Sequence, residues 1–195
     1  MSTVIKSGDT GNTANVDSRN RLGTLATSSD ISVDAAQQGE AFFLTTSVLE
    51  LTSASESGLF YMKNTDSIDW VLRDFNAVIT QSTGAADLPL LTRFTIGPTG
   101  GTLLSGTAII PANLNLGSSK SLAGTFAKGG EGFTVTGGVQ VPQNMYLPDR
   151  NNLAVSANPI IIAPGTSFSF SLTPGTGNTS VKVVFNVTLY RDTSS

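Results

Sequence analysis

Cysteine and histidine are both absent from the 195 residues. Without cysteine there is neither a disulfide framework nor a thiolate metal site. Without histidine the chain lacks the usual general base, the commonest zinc ligand and the usual pH switch. Charge is sparse as well: Asp, Glu, Lys and Arg make up 13% of residues, and the net charge is −3. A weakly charged, acidic surface does not displace counterions from a phosphate backbone, so nucleic acid is not an expected partner. No apolar run approaches the roughly 18 residues that cross a membrane, and residues 1–11 lack the apolar stretch of a secretory signal. The expectation is a chain made in a cytoplasm that stays soluble, with no membrane partner, no cofactor and no catalytic apparatus.

What is present is a β vocabulary. Glycine, serine and threonine are abundant and mean hydropathy is slightly positive. That suits a packed β protein with small uncharged surface residues and does not suit a disordered chain. The clearest segment runs from Ser167 to Arg191. Phe168, Phe170 and Leu172 alternate with Ser167, Ser169 and Ser171, the period of two of a half-buried strand. Further on, Val181, Val183, Phe185, Val187 and Leu189 share one face, with Lys182, Asn186, Thr188 and Tyr190 on the other. The residues between, Pro174-Gly175-Thr176-Gly177-Asn178, favour turns, so the segment reads as a hairpin. Its apolar face needs a core supplied by earlier strands, which makes the later strand a central piece of a sheet.

Upstream, Ala41 to Leu51 and Leu59 to Lys63 read as a second hairpin around the turn Ser53–Gly58. Ile68 to Thr80 carries the single tryptophan, Trp70; its β-forming residues favour a strand over a helix. Leu90 to Ile96 is a strand stopped by Gly97-Pro98-Thr99-Gly100-Gly101. Pro111, after Ala108-Ile109-Ile110, marks an edge or a bulge. Residues 118–138 read as a loose, glycine-rich stretch anchored by Phe126, Phe133 and Val135, and Asn158 to Ala163 as a short apolar strand. About eight to ten short antiparallel strands without a clear helix predict a jelly-roll-like β-sandwich over residues 41–195. Residues 1–40, polar and turn-rich with one apolar stretch at Leu22–Thr27, predict an extended arm that docks on something else or frays.

Three groups of residues carry a resemblance. The first is Gly11, Ala14, Val16-Asp17 and Asn20-Arg21-Leu22. The second is Pro98–Thr102, Pro111–Ser119 and Lys128–Gly132. The third is Ala163-Pro164-Gly165-Thr166 with Gly177–Ser180. In this order they resemble the capsid decoration, or cement, proteins of tailed bacteriophages. The resemblance implies a homotrimer on the outside of the virion that bridges neighbouring major capsid proteins. It implies as well that the arm, through Val16, Asp17, Asn20, Arg21 and Leu22, meets the capsid. The alternative is a carbohydrate- or receptor-binding module of a head or tail appendage, for which exposed Trp70, Phe60 and Tyr61 would form the platform.

Other patterns have bland readings. Gly175–Ser180 lacks the Gly-Lys-Ser/Thr ending and following helix of a phosphate loop. Asp66, Asp69 and Asp74 suggest solvated charge ahead of calcium or a catalytic pair, and Asp149, Asn151 and Asn152 a turn. Asn178-Thr179-Ser180 and Asn186-Val187-Thr188 fit a glycosylation sequon, a coincidence in a chain read as cytoplasmic. Arg19 and Arg21 with Asp17 suit either salt bridges to a partner or ordinary solvation.

Overall fold

The computed structural model describes residues 4–6, 13–16, 22–23, 31–84, 90–145, 153–155, 160–175 and 177–192. It divides into two units, Met1–Ile31 and Ser32–Ser195. In the first, strands Val4–Lys6, Thr13–Val16 and Leu22–Gly23 form an antiparallel sheet in that order. In the second, eight principal strands build two sheets packed face to face: β1 (Ala41–Thr45), β2 (Ser57–Asn64), β3 (Trp70–Gly84), β4 (Leu90–Ile96), β5 (Val139–Met145), β6 (Ile160–Ile162), β7 (Ser167–Thr173) and β8 (Asn178–Arg191). The architecture is a β-sandwich.

Sheet one runs β1-β8-β3, with β6 and the short strand Leu153–Val155 both on the far side of β3. Sheet two runs β5-β4-β7-β2 and continues into strands Gly124–Lys128 and Thr107–Ala108. Pairing is antiparallel and nested: β1 with β8, β2 with β7, β3 with β6 and β4 with β5. Two further pairings, β8 with β3 and β7 with β4, close each sheet across its middle.

Two expected hairpins are corrected by this topology. β7 and β8 are consecutive but lie in opposite sheets, and the turn residues between them carry the chain from one layer to the other. Their alternating faces therefore meet across the core: the Phe170 and Phe185 rings stack with centroids 4.3 Å apart. Likewise β1 and β2 are in different sheets, so residues 52–56 are a crossing and not a hairpin turn. A period-two pattern says which face is buried. It is silent on which strand lies alongside.

β8 is central, as its long apolar face demands, and Val181, Val183, Phe185, Val187 and Leu189 are all essentially inaccessible. The segment expected as one strand over 41–51 breaks at Thr46–Val48 into β1 and Leu49–Leu51, both paired with β8. At the break the buried Thr46 closes the gap: its N–H donates to Phe185 O (3.0 Å), and its hydroxyl accepts from Phe185 N (2.9 Å). The serines of β7 are not solvated, since Ser167, Ser169 and Ser171 are buried. Their face is covered by residues 97–138, where a 3₁₀ helix at Thr102–Ser105 and a small cluster of Tyr61, Leu103 and Ala127, flanked by Phe133 and Val135, sit on the outside of sheet two. That stretch is thus more ordered than expected, with Phe126 reaching the main core instead, stacked on Trp70 at 5.5 Å. Gly124 permits this approach, because a Cβ there would lie 2.3 Å from the Trp70 ring.

One helix interrupts the all-strand expectation. Residues Ile31–Gln37 form two turns, bury Ala35, and end at Gly39 in the left-handed region (φ 73°). A side chain at Gly39 would fall 2.2 Å from Ser118 Oγ, so the turn needs glycine for both conformation and space. The expected boundary between arm and domain at 40/41 and the division at 31/32 differ by this helix.

Candidate interaction surface

Of the arm residues singled out in the sequence, Val16 and Leu22 are directly opposite one another in the first unit's sheet. Asp17, Asn20 and Arg21 lie outside the described residues, as does Arg19. In the same sheet Ile5 opposes Ala14. A three-stranded sheet this short is marginal unless it packs on something. Ile5 was missed in the sequence because Val4-Ile5-Lys6 is too short to show a period.

On the sandwich, the aromatics proposed as a sugar platform are inside. Trp70 and Phe60 are fully buried, and Tyr61, 5% exposed, lies beneath residues 97–138. Burial pushes the Tyr61 hydroxyl pKa up, partly opposed by its hydrogen bond with Ser167.

β6, on one side of sheet one, and the β4–β5 edge of sheet two both contribute to one cleft. The residues at that edge belong to the inner face by register, Val141 opposite Phe94 and Val139 opposite Ile96. Val139, Val141 and Ile96 are 66%, 41% and 54% exposed. The result is a cleft of about 350 Å³. Phe75, Phe94 and Phe168, mutually in ring contact, form its deep part. Ile96, Val141 and Ile160 lie toward its mouth, and no charged residue lines it among the described residues. No sequence pattern announced this cleft, since its lining comes from five strands of both sheets.

The acidic residues are dispersed. Asp66 Oδ2 is 2.9 Å from Arg191 Nε, and Arg191 also reaches the buried Glu40 (3.1 Å), which Lys120 holds from another side at 2.5 Å. This network joins the segment after the helix to the end of β8. Asp74 pairs with its neighbour Arg73 on the surface, and the Asp69 carbonyl accepts from Asp192 N. No group of three or more acidic residues among those described is placed to hold a metal ion. Asp149, Asn151 and Asn152 lie outside the described residues. Asn186, in the second sequon, donates to Asn76 across sheet one (3.0 Å). Glu131 fastens the loop after Gly124–Lys128 to the crossing after Leu51: Thr52 donates its N–H and its hydroxyl to the carboxylate at 2.8–3.0 Å. The backbone bond first, and the hydroxyl second, hold the Glu131 pKa below the usual carboxylate range.

No protein-family model, curated protein or solved structure gives a significant match to this chain.

Proposed function

We propose that the chain is a structural component of a bacteriophage virion, a decoration protein on the capsid exterior that bridges major capsid subunits as a homotrimer. The observation that carries this reading is the pairing of a filled sandwich with a separate small sheet. Val16 and Leu22, two residues of the resemblance, are register partners in that sheet. A rigid body with a short adhesive unit suits a protein whose work is to hold neighbours together. The nested pairing of eight strands, first with eighth through fourth with fifth, supports assigning the sandwich to the jelly-roll type. The interior position of Trp70 and Phe60 withdraws the platform on which a carbohydrate-binding reading would rest.

Light scattering on the purified protein, alone and mixed with expanded empty heads, tests this. Three copies of a 20.2 kDa chain give a particle of roughly 60 kDa, and that particle should co-sediment with heads. A monomer that ignores heads would remove the reading.

A further inference from the structure

The cleft between β6 and the β4–β5 edge has properties that adhesion to a capsid does not require. We infer that it is a binding site for a single acyl chain, taken from a free fatty acid or from a lipid. Three features point to this class of ligand.

The first is composition. Among the described residues the lining has three phenylalanines in its depth, aliphatic residues around them, and only Thr166 and Ser167 as polar members. A buried charge there would meet no partner, so the occupant is uncharged within the cleft. A carboxylate or headgroup must stay at the mouth, in water.

The second is capacity. An apolar cavity of about 150 Å³ accepts benzene, which has six carbons. At the same occupancy about 350 Å³ accepts roughly 14 heavy atoms, a medium-length hydrocarbon chain.

The third is the shape of the opening. Ile96 and Val141 are inner-face residues left half-exposed at the mouth, so apolar surface leads continuously from solvent to the phenylalanines. Such an entrance suits a ligand with a hydrocarbon body and a polar end that stays in solvent. The inference is independent of the virion reading.

Calorimetric titration of the full chain with saturated fatty acids of six to sixteen carbons, each below its micelle concentration, tests the site. One molecule should bind per chain. Affinity should rise about fourfold for each added methylene and level off near roughly 14 carbons, once the cleft is full. Ile96→Asp and Val141→Asp, which place charge at the mouth on residues already half-exposed, should each weaken binding about tenfold or more with the melting temperature unchanged. Should either variant fold poorly, the chain-length series on the unaltered protein decides alone.

A lysophospholipid carrying the same chain separates the sources. Equal affinity means the site reads hydrocarbon only, and a preference for the lysophospholipid identifies a membrane lipid as the donor. Absence of saturable binding at every length would overturn the proposal, as would affinity that climbs without a plateau or binding indifferent to both folded variants. Growth in mass without uptake would overturn it too, by showing that a second copy fills the cleft.

Discussion

At the scale of single residues, the interior is a continuous aromatic chain in which Phe185 has the central place. It touches Phe60, Phe75 and Phe170, with centroids at 5.1, 6.2 and 4.3 Å, and so connects both sheets. Truncating it removes apolar burial and leaves a void that rigid neighbouring rings cannot refill. Phe185→Ala should cost about 3–5 kcal/mol in urea unfolding, toward the upper part of the range for large core residues. Glu131 offers a different test, because its carboxyl is held below its ordinary pKa of 4.5 by Thr52. A group with a depressed folded pKa stabilises above its unfolded pKa, and that contribution disappears as pH falls through the folded value. Glu131→Gln should therefore flatten the acid side of the stability curve below about pH 4.5, and leave the curve's shape near neutrality alone. Melting temperatures across pH 2.5 to 7 would show it, and parallel curves for the two proteins would mean that Thr52 does not discriminate the charged form.

Among elements, the helix and the residues after it behave as part of the sandwich. Ala35, Gly39 and Glu40 are buried, and Glu40 receives both Lys120 and Arg191. A chain lacking residues 1–30 should then melt within a few degrees of the full chain. One lacking residues 1–40 forfeits a buried carboxylate that binds two cations, worth about 1.5–3 kcal/mol per charged hydrogen bond. At about 2–4 °C per kcal/mol for a domain of this size, its melting temperature should drop by roughly 6 °C or more on that loss alone. Equal melting of the two truncations would place Glu40 outside the stabilising network. This is also the scale at which the sequence was most and least informative. Leu90–Ile96 and the two faces of Val181–Leu189 were legible residue by residue, because a buried face imposes its period directly on the side chains. The helix was not, since seven residues span only two turns and Ile31 and Ala35 alone cannot establish a period of 3.6. Nor was burial of the serine face of β7 visible, because it depends on a cover drawn from residues 97–138. Val16 and Leu22 were noticed as a motif, yet their pairing follows from the register of strands only a few residues long.

For the molecule as a whole, composition and strand spacing sufficed for a sandwich, but connectivity came from the structure. Turn residues look alike whether they return a strand to its own sheet or carry it to the facing one. Hence both expected hairpins had the right strands and the wrong neighbours. The cleft was hidden for a related reason: its lining is gathered from both sheets and from residues far apart in the chain, and no local pattern records that. The same connectivity bears on how the protein comes into being. β8 occupies the middle of sheet one, between β1 and β3, and supplies the partner for Leu49–Leu51 as well. During synthesis from the N-terminus, those strands are made more than ninety residues before it (the last of them, β3, ends at Gly84 and β8 begins at Asn178), and none can complete its ladder until residues 178–191 follow. For most of translation the nascent chain thus presents unpaired strand edges to the cell, a period in which chaperone binding or premature arrest decides between a finished sandwich and an aggregate.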